Sequence, residues 1–261
     1  MTGKTHEANE TTKRTPVVNR KFKDTVFRML FSDKEALLSL YNAVNNSHYT
    51  DSCALEIVTL ENAIYMGMKN DLAFILDMNL YLYEHQSTMN PNIPLRDLFY
   101  IAAEYQKLVD KKSLYSSALQ KIPNPHFIVF YNGSTPIDDC YTSRLSDAFY
   151  HATDNPSLEL IVTTFNVNAG HNTKLMSHCQ ILKEYSIYVA KVRSLAEQMP
   201  LDDAVQKALR NDKKRLLRYT GAVFYNTSSI IFRIRSSNRK SFFTRSNPFA
   251  AMHFLSSSCL R

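Results

Sequence analysis

Glu84 and Gln86 stand two positions apart in the run Leu82-Tyr83-Glu84-His85-Gln86, and Asp71 opens the apolar run Leu72 to Leu76. Strand side chains alternate between faces, so Glu84 and Gln86 share one. Charged side chains are rarely kept on strands covered on both sides unless they are paired or bound to a metal ion. A two- or four-residue loop between the runs sets Asp71 opposite Glu84 or Gln86, whereas a three-residue loop sends it to the other face. If Asp71 joins them, two carboxylates and an amide converge. That donor set suits a hard cation, with open positions left for water and a phosphate oxygen. A cation there would polarise a scissile phosphate and lower the pKa of its bound water. Gln86 would hold that water or a phosphate oxygen through its amide, with no charge of its own. The competing assignment is structural: a capping Asp, with Glu84 and Gln86 at a hairpin edge facing solvent.

The elements that must position these residues follow from the hydrophobic pattern. From Lys21 the chain reads as helix, with Phe22, Val26, Phe27 and Leu30 three to four apart. Ser32-Asp33-Lys34-Glu35 reads as a capping box, Ser32 at the N-cap and Glu35 three positions on. Leu37, Leu40, Tyr41 and Val44 continue the stripe to Asn45-Asn46-Ser47. Ala54 to Leu60 is a predicted strand. Asp71 to Gln86 is a predicted hairpin turning around Asp77-Met78-Asn79. Its strands are apolar on both faces, as in a sheet covered on each side. Pro91 and Pro94 open a helix carrying Leu95, Leu98, Ala102 and Tyr105 at helical spacing. His126 to Tyr131 and Leu158 to Val162 are further strands, and a long helix is expected from about Thr173 to Gln198. The order implies an α/β core with a mixed central sheet flanked by helices.

Other chemistry finds little support. His151, His171 and His178 stand alone. The chain has five glycines and no glycine-rich phosphate loop, which argues against a P-loop or dinucleotide fold. No G-x-S-x-G motif and no Cys–His pairing stand out. The four cysteines, Cys53, Cys140, Cys179 and Cys259, lie far apart without a CxxC pair. That spacing speaks against a zinc ribbon or disulfide framework and for a reducing compartment.

The run Asp71-Leu-Ala-Phe, then Tyr-Leu-Tyr-Glu84-His-Gln86-Ser, then Pro-Leu-Arg96-Asp-Leu-Phe-Tyr100, resembles the recombination-promoting nuclease and transposase family of the PD-(D/E)XK nuclease superfamily. The resemblance continues in Phe22-Lys23-Asp24-Thr25-Val26-Phe27, Phe127-Ile-Val-Phe-Tyr-Asn-Gly133, Leu158-Glu-Leu-Ile-Val-Thr, Asn168-Ala-Gly-His-Asn172 and Tyr188-Val-Ala-Lys-Val-Arg193. It covers roughly residues 20–210. It implies a PD-(D/E)XK restriction-endonuclease-like core and a Mg²⁺-dependent DNA endonuclease, with Mn²⁺ as a substitute ion. By the resemblance Asp71 and Glu84 hold the metal, and Gln86 stands where the superfamily usually has lysine. Gln cannot offset developing negative charge, so catalysis should lean more on the metal. Asp24 matches an N-terminal acidic position that could complete the metal site or be a helix-surface carboxylate. Arg96 either contacts a DNA phosphate or pairs with an acid such as Asp97 or Glu104. A homodimer would suit double-strand cutting.

Length and charge bound the rest. The chain has 261 residues, 44% hydrophobic and 21% charged, which is globular composition and enough for a core without staples. No apolar run approaches the roughly 20 residues of a membrane span. The first twenty residues carry no apolar signal stretch. The expectation is a cytoplasmic protein with no membrane partner. The net charge of +7 is unevenly spread: residues 213–261 hold ten Lys or Arg and no Asp or Glu, whereas residues 1–212 carry 21 basic and 24 acidic groups. The expected organisation is a disordered segment 1–19, a nuclease-like domain 20–210 and a basic tail 211–261. The tail reads either as an arm that binds nucleic acid through counterion release or as out-of-frame translation, which would also fit a catalytically inactive, DNA- or partner-binding relic.

Overall fold

The computed structural model of the chain describes residues 22–58 and 72–216, the last six as backbone only. The expected segment 1–19, most of the basic tail and Asp71 lie outside the described residues. Helices α1 (Phe22–Phe31) and α2 (Lys34–Asn45) lead into a short strand, β1 (Glu56–Ile57). The hairpin β2 (Leu72–Leu76) and β3 (Asn79–Gln86) follows, then α3 (Ile93–Leu108) and β4 (Asn124–Tyr131). Strands β5 (Cys140–Arg144) and β6 (Ile161–Asn166) come next, and α4 (Thr173–His178), α5 (Gln180–Ala196) and α6 (Leu201–Leu216) close the described chain.

The strands form one open mixed sheet in the order β1-β2-β3-β4-β6-β5. β2 runs antiparallel to its neighbours β1 and β3, β4 and β6 are parallel to β3, and β5 is antiparallel to β6. The α/β class with a mixed sheet between helices is therefore as expected. Both central hairpin strands are buried along nearly their whole length. On one face Phe74, Tyr81, Tyr83, Ile128 and Phe130 pack with the apolar sides of α1, α2, α4, α5 and α6. On the other, Leu80, Leu82, Phe127, Val129 and Val162 pack with Ile93, Tyr100 and Ile101 of α3 and with Leu145 and Leu160.

Several boundaries differ from expectation for local reasons. Asp33, not Ser32, caps α2: its Oδ1 accepts from the Glu35 and Ala36 N–H groups at 3.1 and 3.0 Å, while Ser32 donates to the Met29 carbonyl. The hairpin turns on two residues, Asp77 and Met78, both at positive φ (50° and 62°), and Asn79 already pairs with Leu76. The helix expected from Thr173 to Gln198 is interrupted at buried Cys179, whose φ and ψ of −126° and 92° are extended. The break lets Leu175 and Met176 reach the same core as Ile181 and Leu182. The strand expected at Leu158–Val162 runs instead from Ile161 to Asn166. β5 was not legible because its burial pattern is almost wholly exposed. α6 continues past residue 210, the expected end of the domain.

Candidate functional site

The two-residue turn sets the register of the hairpin: Leu72 pairs with Tyr83 and Leu76 with Asn79. This is one of the two loop lengths that the sequence arithmetic requires if Asp71 is to share a face with Glu84; Asp71 itself lies outside the described residues. Glu84 and Gln86 do share a face, the one covered by α3, and both are buried at 8% and 9% exposure. Gln86 Nε2 donates to Glu84 Oε1 at 3.0 Å. Arg96, in the first turn of α3, donates from Nη2 to the same oxygen at 3.0 Å. The structure thus brings Glu84, Gln86 and Arg96 together, and the acid that accepts the Arg96 bond is Glu84 rather than Asp97 or Glu104, the two named from the sequence. Glu104 takes a bond from Lys107 instead.

Glu84 is poorly neutralised all the same. Its Oε2 is buried without a hydrogen-bond partner, an arrangement that proteins rarely leave unmet. Burial pushes the Glu84 carboxyl above its ordinary value; Arg96 and Gln86 pull the other way without cancelling it. Asp97, one residue after Arg96 and 3% exposed, entered the sequence reading only as a pairing acid for Arg96. Burial, and then the charge of Glu84, holds its carboxyl well above the carboxylate range. Tyr100, one helical turn on, is pushed up to about 12, chiefly by burial. The site therefore contains two carboxyls that resist ionisation, one guanidinium and one amide. The signal for Asp97 lay in the helix itself: Ile93, Asp97, Tyr100, Ile101 and Glu104 fall at the spacing of one face.

Asp24 lies elsewhere. Its Oδ1 is 2.8 Å from His85 Nδ1, and His85 points to the α1 and α5 face because it alternates with Glu84 and Gln86. The other ring nitrogen, Nε2, is 2.7 Å from the Tyr185 hydroxyl on α5. Burial lowers the pKa of His85, against the opposing pull of Asp24. Asp24 acts on Glu84 only through its field, which raises the Glu84 pKa. The Asp24–His85–Tyr185 chain was not foreseen; the buried His between Glu84 and Gln86 was its one visible sign.

Whether a hard cation fits depends on donors. Glu84 Oε2 is an oxygen with nothing bound to it, and the Gln86 carbonyl oxygen is a second neutral donor, both of the chemistry that Mg²⁺ prefers. Among the described residues no group of three His, Cys, Asp or Glu side chains is placed to hold a metal ion. The donor set thus fits in chemistry and lacks one carboxylate, the place that the family resemblance would give to Asp71. A cleft of about 430 Å³ between α2 and residues 46–52 is lined by none of these residues. Among the described residues no helix is long and apolar enough to cross a membrane. Comparison of the chain with protein-family models, with curated proteins and with solved structures gave no match.

Proposed function

We propose that the chain is a metal-dependent DNA endonuclease of the recombination-promoting, mobile-element type, built on a PD-(D/E)XK-like core. The observation that carries the proposal is Glu84 Oε2: a buried, unpartnered carboxylate oxygen at the end of a central strand, beside an amide and a guanidinium. Such an atom costs stability wherever it has no task. The order of elements supports the same core: a helix, three antiparallel strands, a helix, and a strand parallel to the third. Glu84 with Asp71 would hold Mg²⁺ or Mn²⁺, and such an ion, when bound, supplies Lewis-acid activation of the phosphate and of water. Gln86 holds the position of Glu84 by its amide and offers its carbonyl to a water. Arg96 offsets the Glu84 charge and, with donors to spare, takes a phosphate oxygen of the substrate.

Supercoiled-plasmid cleavage tests this, run with Mg²⁺, with Mn²⁺, with EDTA, and with Glu84→Gln under each condition. Metal-dependent nicking or linearisation that is lost in Glu84→Gln is the expected result. Folded wild-type protein that leaves the plasmid intact with both ions would overturn it. A second reading, a catalytically inactive relic that still binds DNA or a protein partner, is favoured by one observation: the Arg96 guanidinium already occupies Glu84 Oε1, where it competes with a cation. Retained DNA affinity without cleavage would select it.

A further inference from the structure

Two cations meet at the end of β4 on a single backbone carbonyl. Asn132 follows β4 directly, and its N–H donates to the Gln86 carbonyl at 2.8 Å, so this point adjoins the end of the strand that carries Glu84. Lys23 of α1 donates from Nζ to the Asn132 carbonyl at 3.2 Å. Arg193 of α5 donates from Nη2 to the same carbonyl oxygen at 2.7 Å and to Asn132 Oδ1 at 2.9 Å. Its Nη1 donates to Asn168 Oδ1, after β6, at 2.6 Å. Neither cation forms an ion pair among the described residues.

The arrangement is costly unless an anion completes it. A carbonyl oxygen has two lone pairs, and here both cations draw on the same oxygen. Its dipole offsets only part of two unit charges that stand a few ångströms apart. Burial, and then the charge of Arg193, lowers the Lys23 pKa to about 8, while Asp24 pulls it back upward. Lys23 is only half-buried, and a lysine ammonium carries three donors, of which the structure engages one. The cluster also lies at the C-terminal ends of the parallel strands β3, β4 and β6, the edge where open α/β sheets bind ligands.

We propose that Lys23 and Arg193, held in place by Asn132 and Asn168, form a binding site for a backbone phosphate of DNA next to the Glu84 site. The identity of the ligand rests on the nuclease proposal; the site itself rests on two cations that converge on one carbonyl without an ion pair among the described residues. Arg193 is fixed by three hydrogen bonds and sets the geometry, and Lys23 closes on the phosphate with its free donors.

The test is equilibrium binding of a fluorescein-labelled DNA duplex, followed by anisotropy in EDTA from 50 to 200 mM salt, so that cleavage plays no part. Lys23→Gln should weaken binding about tenfold and reduce the slope of log affinity against log salt by about one. Lys23→Arg should retain affinity and slope, and Lys111→Gln, an exposed lysine changed as a control, should alter affinity less than twofold. Circular dichroism confirms that each variant is folded. A folded Lys23→Gln that binds with unchanged affinity and slope would reduce the cluster to a cap on the end of β4 and overturn the inference. Plasmid cleavage by the same proteins separates the two proposals. Lys23-dependent binding without cleavage upholds the phosphate site and sinks the nuclease. Cleavage with Lys23-independent binding does the reverse.

Discussion

Glu84→Gln should make the protein more stable at neutral pH while abolishing cleavage. The side chains have one shape, and glutamine keeps an oxygen to accept from Gln86 and Arg96. The loss is the charge assistance of the Arg96 bond, about 1 kcal/mol and less here because a quarter of the Arg96 side chain is open to water. The gain is larger. Burial raises the pKa of Glu84, so its charged form is held at a cost to the fold, and that charge also raises the pKa of Asp97. Each factor of ten in that protonation equilibrium costs the fold about 1.4 kcal/mol. The unpartnered Oε2 is replaced by an unpartnered amide nitrogen, with little net change. The balance is a gain of about 1 kcal/mol, or about 3 °C in Tm for a domain of this size. The sign with pH is fixed. A carboxyl whose folded pKa lies above its ordinary 4.5 stabilises the fold below that value and loses this contribution as pH rises through the folded pKa. The advantage of Glu84→Gln should therefore grow as pH rises through the folded pKa and fade as pH falls toward 4.5. Thermal unfolding at both pH values, beside the plasmid assay, measures it. A variant that is more than about 1 kcal/mol less stable at pH 7.5 would refute the reasoning and make Glu84 a structural partner of Arg96.

Arg96→Met should cost about 2 kcal/mol at pH 7.5, because it leaves Glu84 buried beside Asp97 with one amide for company. Adding Glu84→Gln to it should restore at least half of that loss; additive losses in urea unfolding would show that the pair is not coupled. DNA affinity in EDTA should fall between pH 7 and pH 9, since Lys23 loses its charge near pH 8, and Lys23→Arg should remove this fall; an unchanged slope of affinity against pH in that variant would contradict it. Asp24→Ala should lower stability by about 1–2 kcal/mol by stripping His85 Nδ1 of its partner. Its Mg²⁺ midpoint in plasmid cleavage should match that of the wild type, and a shifted midpoint would return Asp24 to the metal site.

What the sequence disclosed was set by how local the signal is. The hairpin and the shared face of Glu84 and Gln86 follow from alternation alone, which needs no knowledge of neighbours. The turn length did not: Asp77 and Met78 are not glycine, and positive φ at both was invisible until Asn79 was seen paired with Leu76. The joining of Glu84 to Arg96 and of Asp24 to His85 depends on which way α3 and α1 face the sheet, a tertiary fact. The Lys23–Arg193 cluster shows the same limit. Its members come from segments singled out for their resemblance, Phe22-Lys23-Asp24, Asn132-Gly133, Asn168 and Arg193, yet no spacing in the chain says that they meet.

The rotation of α3 is where composition and structure disagree most. The helical spacing of Leu95, Leu98, Ala102 and Tyr105 predicts that this stripe faces the sheet. Leu98 and Tyr105 do pack, partly buried, against that core, but Asp97 and Glu104 are buried with Ile93, Tyr100 and Ile101, while Leu95 and Phe99 are 38% and 51% exposed. Burying Leu95 and Phe99 would be worth about 2 kcal/mol each, but the rotation that does so turns the buried Ile93, Tyr100 and Ile101 outward. Two contacts oppose it. Ile93 in the first turn is packed into the core beneath α3, and Arg96 in the same turn bonds Glu84. Asp97 is then carried inward with Arg96, next to the carboxylate that raises its pKa. A helix that gives up apolar contact in order to bring a guanidinium and a second carboxyl to a buried glutamate breaks the local rules for stability at one place, and such breaks concentrate at functional sites.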